Sequence, residues 1–228
     1  MKTYLEPQEI NLLAQAATNL RDRLLISLLV HSGCRISEAL GLTVDDIHFD
    51  SSTLTIQHLK ARVTLTCPGC KARLSRSSVF CPGCGDKVST TLVAQREQRR
   101  MRTIPIDLHT LTLFEEYIKR GGAVEKEGKK LIFAINRHRA WQIIKQCADR
   151  AGLPPLFNTQ SGKFHNVSPH RLRDSFAINA VKKNDSGDGL RMLQEHLGHQ
   201  NISTTMNYRK VAGDELKNWY QHLWETDK

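Results

Sequence analysis

Apolar residues recur at helical spacing over most of this chain and alternate over two short stretches only, so helix is expected to dominate. In PQEINLLAQAA, Pro7 sits early in a helix, where its missing N–H costs nothing, and Ile10, Leu13, Ala14 and Ala17 follow on one face. A second helix is predicted through LRDRLLISLLVHS, stopped by Gly33, and a short third in RISEALGL, so that Arg35 opens a new element just past a tight corner. Thr53 to His58 (TLTIQH) alternates and is rich in β-branched residues, and Arg102 to Ile106 (RTIPI) reads as its strand partner. Helices are then predicted in LHTLTLFEEYIKR, after it a Gly- and Lys-rich turn, and in HRAWQIIKQCADRAG. LPPLFNTQSGKFHNV carries turn formers with little periodicity and is expected to be a loop. Ser168-Pro169 opens the helix of HRLRDSFAINAV, and helices around DGLRMLQEHLG and ISTTMNYRKV follow. DELKNWYQHLW closes the chain with Leu216, Trp219, Tyr220, Leu223 and Trp224 at helical spacing. The expected fold class is mainly α with a small antiparallel β-sheet (α+β).

The 228 residues, 39% hydrophobic and 25% charged, suffice for one large domain or one domain plus a small one. No apolar run approaches the roughly 20 residues of a membrane span, and MKTYLEPQEI lacks the apolar core of a secretory signal. A cytoplasmic, nucleoid-associated protein without a membrane partner is expected. The net charge of +10 points to a polyanionic partner, nucleic acid above all. The charge is concentrated: between Lys60 and Pro105, ten Lys and Arg (60, 62, 71, 73, 76, 87, 96, 99, 100, 102) face two acids (86, 97), a local net of +8. Arg62, Arg73, Arg76, Arg99, Arg100 and Arg102 are the candidate DNA contacts, and a merely solvated basic face is the alternative.

That basic segment also carries Cys67-Pro-Gly-Cys70 and Cys81-Pro-Gly-Cys84, with ten residues between them. Each turn offers two thiolates, and two turns complete a tetrahedral Zn2+ site with no open position, hence a structural one. A redox Cys-x-x-Cys pair is the alternative reading. The zinc ribbon is expected as an insertion over residues 61–98 of a domain running from 1 to 228, with Cys34 and Cys147 as plain buried thiols.

Residues suited to phosphoryl transfer are spread along the chain: Arg35 in SGCRISEALGL, Lys60 at a strand end, His170 and Arg173 in SPHRLRDSFA, His199 in LGHQ, and Tyr208 in TTMNYRKV. A phenolate attacking a DNA phosphodiester makes a five-coordinate phosphorus whose nonbridging oxygens gain charge, and fixed cations stabilise that state above the ground state. Guanidinium groups at Arg35 and Arg173 can each give two parallel hydrogen bonds to phosphate. His170 and Arg173 are three apart on a helix and can face one phosphate; the two arginines with His170 as proton acceptor would favour the phenolate of Tyr208. Glu38, one turn after Arg35, can hold that guanidinium in place.

In this order and context the set resembles the tyrosine recombinase, or phage integrase, family, most specifically in LGHQNISTTMNY, where nine positions separate His199 from Tyr208. The resemblance covers nearly the whole chain outside the cysteine segment. It implies a catalytic domain that cleaves and rejoins double-stranded DNA through a 3′-phosphotyrosyl intermediate on Tyr208, with no metal or ATP in the chemical step. It also implies Lys60 as proton donor to the leaving 5′-hydroxyl, assembly into a tetramer on DNA through the C-terminal helix, and accessory proteins as further partners. Most members carry an N-terminal helical domain that completes a clamp on DNA, whereas few residues precede the first helix here; the basic ribbon is expected to supply some of those phosphate contacts. A type IB topoisomerase-like relaxing enzyme and a non-catalytic zinc-ribbon DNA-binding protein are the alternatives.

Overall fold

The computed structural model describes residues 2–57, 65–75, 77–88, 101–158 and 161–212, with side chains through Arg209. The chain divides into two compact units, one made of residues up to Ile56 and from Arg102 onward, the other of Gln57–Met101. In order, the first part runs α1 (Pro7–Gln15), α2 (Leu20–Ser32), α3 (Ile36–Ala39), a 3-10 turn at Val44–Asp46, β1 (Ile47–His48) and β2 (Thr53–Gln57). The strands β3 (Leu65–Thr66) and β4 (Arg73–Leu74) belong to the second unit, and β5 (Met101–Pro105) returns to lie beside β2 in a sheet ordered β1-β2-β5. Then come α4 (Leu108–Lys119), the hairpin β6 (Val124–Lys126) and β7 (Lys129–Leu131), α5 (Arg137–Arg150), the hairpin β8 (Leu156–Asn158) and β9 (Lys163–His165), α6 (Pro169–Lys183), α7 (Gly187–Leu197) and α8 (Ile202–Ala212). The fold is α+β with helix predominant.

Local chemistry explains the boundaries. The side chains of Asn19, Asp107, Asn136 and Ser186 each accept a hydrogen bond from an otherwise orphaned first-turn N–H of α2, α4, α5 and α7. Leu24 through Val30 of α2 are all buried, which makes α2 the central helix, packed by α1, α4 and α6. Its side chains join Phe114, Phe133, Ile143, Ile144 and Leu172 in the main core. A second cluster, Ala177, Val181, Leu190, Leu193 and Leu197, seals α6 against α7 and α8, with the Tyr208 ring packed on it.

The segment expected to be a loop before α6 instead contains the β8–β9 hairpin. Phe157 pairs across from Phe164, their rings edge to face at 5.2 Å, and Phe157 also donates its N–H to the Lys2 carbonyl at 2.7 Å. Three-residue strands are too short to display alternation. Likewise the Gly- and Lys-rich turn is a hairpin, closed by Glu127 and Gly128 in the left-handed conformation that two-residue hairpin turns need. The closing helix expected in DELKNWYQHLW lies outside the described residues. Among the described residues no helix is long and apolar enough to cross a membrane.

Candidate active site

Two helix ends and one helix start create the site. The α2 terminus is Gly33 at φ +58, and a Cβ there would fall 2.4 Å from the Phe176 ring, so glycine is required by both conformation and space. The α7 terminus is Gly198, also left-handed. Helix C-termini leave carbonyls without intrahelical partners, and at both ends an arginine takes them. Arg173, 4% exposed on α6, donates from Nη1 to the Gly33 carbonyl at 2.6 Å and from Nη2 to the Leu197 carbonyl at 2.8 Å. Arg102 donates from Nε to the neighbouring His196 carbonyl at 2.9 Å. The negative ends of two helix dipoles thus help hold buried positive charge, although burial, and then Arg35, still lower the Arg173 value from that of a free guanidinium.

Glu38 ties the arginines together. Its side chain is 1% exposed; Oε1 accepts from Arg35 Nη1 at 3.0 Å and Oε2 from the Arg35 backbone N–H at 2.9 Å, while Arg102 meets both oxygens at 3.2 and 2.9 Å. Arg35 is the residue that opens α3, and its side chain is 31% exposed. Arg102, a candidate DNA contact from the sequence, is 15% exposed at its side chain and clamps Glu38 and α7, inside the scaffold that holds Arg35.

His199 follows Gly198 and presents Nε2 to Arg173 Nη2 at 3.0 Å and Nδ1 to the Thr205 hydroxyl at 2.9 Å. A guanidinium only donates, so Nε2 carries the lone pair and the proton resides on Nδ1. Burial, with Arg173, Arg35 and Arg102 nearby, pushes the imidazole down to about 4, leaving it neutral at neutral pH. The hydroxyl of Thr205, fully buried, can accept from Nδ1 or donate to it, and so serves either tautomer.

Tyr208 on α8 stacks on His199, ring centres 6.1 Å apart, and donates its hydroxyl to Asp174 Oδ1 at 3.2 Å. Burial and the Asp174 carboxylate push the phenol up to about 12, against the lowering pull of Arg173 expected from the sequence. Asp174 is 8% exposed, and its other oxygen accepts from Arg171 Nη1 at 3.0 Å. His170 is 74% exposed, with Nδ1 3.9 Å from Asp174 Oδ1. His170, Arg171, Asp174 and Tyr208 border a cavity of about 280 Å³ together with Thr3, Phe157, Asn158, Ile178, Thr204 and Asn207.

Arg35, Arg173, His199 and Tyr208 therefore converge, with Glu38 behind them and His170 at the rim. Lys60, Arg62, Arg76, Arg99 and Arg100 lie outside the described residues. Sequence reading passed over Asp174, Thr205, His196 and the scaffold role of Arg102. Only Arg102 left a signal: it shares its strand face with buried Ile104.

In the second unit, Cys67, Cys70, Cys81 and Cys84 bring their sulfur atoms within 4.8 Å of one another. The two Cys-Pro-Gly-Cys turns repeat one backbone pattern. Cys67 and Cys81 N–H groups donate to the carbonyls of Ala72 and Asp86, and their own carbonyls accept from Lys71 and Gly85, both at positive φ. Arg73 is exposed on β4. Cys34 and Cys147 are buried.

The model of the phage integrase family matches residues 3–101 and 84–215, and the chain belongs to that family. Among its relatives are the tyrosine recombinase XerA of Pyrococcus horikoshii, 28% identical over 213 residues covering 93% of this chain and 58% of the relative, and the tyrosine recombinase XerD of Mycobacterium leprae, 31% identical over 198 residues covering 87% and 50%. The chain thus spans about half the length of the curated relatives it matches. A crystal structure of XerA recombinase shares the fold, with a TM-score of 0.64 at 18% identity over 100% of this chain and 67% of that one.

Proposed function

We propose that this chain is the strand-transferring part of a site-specific DNA recombinase. The observation that carries this reading is that His199 bonds Arg173 and stacks on Tyr208, with Arg35 near enough to Arg173 and His199 to act on both, on a scaffold of buried carbonyls and Glu38. Tyr208 attacks the scissile phosphate and keeps the 3′ end as a phosphotyrosyl ester, which stores the bond energy for religation. Arg35 and Arg173 stabilise the charge that builds on the nonbridging oxygens. His199 joins them by moving its proton from Nδ1 to Nε2, with the Thr205 hydroxyl turning to donate to the vacated nitrogen. Lys60 protonates the leaving 5′-hydroxyl. On this reading the chemistry uses no metal; the partner is double-stranded DNA, a tetramer forms on paired sites, and accessory proteins direct the outcome.

The four-cysteine cluster fits a structural Zn2+. Tetrahedral thiolate ligation at ~2.3 Å separates sulfurs by about 3.8 Å, and Cys67–Cys84 and Cys70–Cys81 already stand 3.6 and 3.4 Å apart. Zinc would hold the two turns in register and form an inserted ribbon over residues 61–98. The ribbon's basic residues, with Arg62, Arg73, Arg76, Arg99 and Arg100 among them, then add phosphate contacts.

The test is a supercoiled plasmid carrying two copies of a site selected from random DNA by binding. Rearranged circles are the expected product. Relaxation without rearrangement would support the topoisomerase-like alternative, and binding with neither product would support a non-catalytic DNA-binding protein.

A further inference from the structure

We propose that Asp174 is a catalytic residue, the group that takes the phenolic proton from Tyr208 as the nucleophile attacks. The inference rests on the recombinase reading of Tyr208. The carboxylate is divided in labour by geometry. Oδ2 is held by Arg171 Nη1 at 3.0 Å, which leaves Oδ1 aimed at the Tyr208 hydroxyl, 3.2 Å away and already its hydrogen-bond acceptor. The contact sits inside the protein, with the Asp174 side chain 11% exposed, so water does not compete as proton acceptor on equal terms. His170, the proton acceptor expected from the sequence, stands one step further out, its Nδ1 3.9 Å from that same Oδ1.

The step balances as follows. The Tyr208 O–H proton passes to Asp174 Oδ1 while the phenolic oxygen bonds to phosphorus; the P–O5′ bond breaks and the departing oxygen is protonated by a separate donor. In religation the 5′-hydroxyl attacks and gives its proton back to that separate donor, the tyrosine oxygen leaves, and Asp174 returns the proton to it. A buried phenol held neutral beside a carboxylate needs such an acceptor at neutral pH. Asp174 faces His170 and Arg171 on α6 and Tyr208 on α8; Tyr208 also faces His199 and Arg173. Thr3, Phe157 and Asn158, which border the same cavity, are uncharged.

The experiment is single-turnover formation of the Tyr208 adduct between pH 6 and 9 on the selected site with sulfur in place of the bridging 5′ oxygen. A thiolate leaves without protonation, so the proton donor drops out of the profile. The parent chain is expected to show a plateau. Asp174→Asn is expected to lose on the order of 10²- to 10⁴-fold at pH 7 and to gain about tenfold per pH unit, because each turnover must then wait for free phenolate. Difluorotyrosine at position 208 should shift that rising profile to lower pH. Should the variant fail to fold, the parent profile decides: a plateau supports the inference, and a tenfold rise per pH unit overturns it. An adduct from Asp174→Asn at the parent rate and with the parent profile overturns the inference alone. No adduct from the parent chain overturns the recombinase reading and the inference together.

Discussion

His199 is a neutral imidazole wedged against a cation, and that has a consequence for stability. Its value falls from an ordinary 6.5 to about 4 on folding. Between those values the unfolded chain binds more protons than the folded one, so this residue's contribution is complete above pH 6.5 and is lost as pH falls towards 4. Buried His196, whose value is also lowered, acts in the same direction. Thermal melting temperature is expected to drop through that window, with a shallower drop for His199→Gln. Residue chemistry was largely legible in the sequence: Arg35, Arg173, His199 and Tyr208 were singled out by type and order, and they do meet. Asp174 and Thr205 were not, because an aspartate or a threonine in a helix is ordinary until its neighbour across the fold is known. The tie between Arg102 and Glu38 was not legible either, because a positive charge in a basic stretch says nothing about the buried carboxylate it faces.

At the scale of elements, the site depends on where α2 and α7 stop. Gly33 lets α2 end in a left-handed turn, aims its carbonyl at Arg173 and leaves room for Phe176, which in turn stacks on His196. Gly121 has the same backbone sign with nothing within 4 Å of a Cβ. Gly121→Ala should therefore cost only the conformational strain, about 1 kcal/mol. Gly33→Ala should cost clearly more by denaturant midpoint, because a clash with a packed ring adds to the strain, and it should also impair adduct formation by displacing the Gly33 carbonyl. Equal losses for the two would refute the packing argument. Helices with caps and glycine stops were predictable to within a few residues. The two hairpins β6–β7 and β8–β9 were not, since their strands are three residues long and their pairing rests on cross-strand partners such as Phe157 and Phe164.

For the molecule as a whole, +8 of the +10 formal charge falls between Lys60 and Pro105. If the zinc-organised ribbon carries phosphate contacts, removing the metal with a chelator should weaken DNA binding and flatten its dependence on salt, each lost contact lowering the logarithmic slope by about 0.9. The chemical step should survive once the complex is driven by excess protein. Unchanged affinity and slope after verified zinc loss would reduce the ribbon to a staple for a long hairpin. The charge total pointed to nucleic acid, and the paired Cys-Pro-Gly-Cys turns to a closed metal site, because both signals are compositional or local. The packing that brings the ends of α2 and α7 to Arg173 of α6 and Tyr208 of α8 to His199 is a property of the fold.

The most direct measurement of the central claim is to incubate the protein with nicked half-site DNA in EDTA, denature, and map any covalent adduct by mass spectrometry. The expected result is a DNA-linked peptide at Tyr208 that is absent from Tyr208→Phe. An adduct on another residue, or one that persists in Tyr208→Phe, would contradict the assignment of the nucleophile, and strand cleavage that requires added metal would contradict the mechanism.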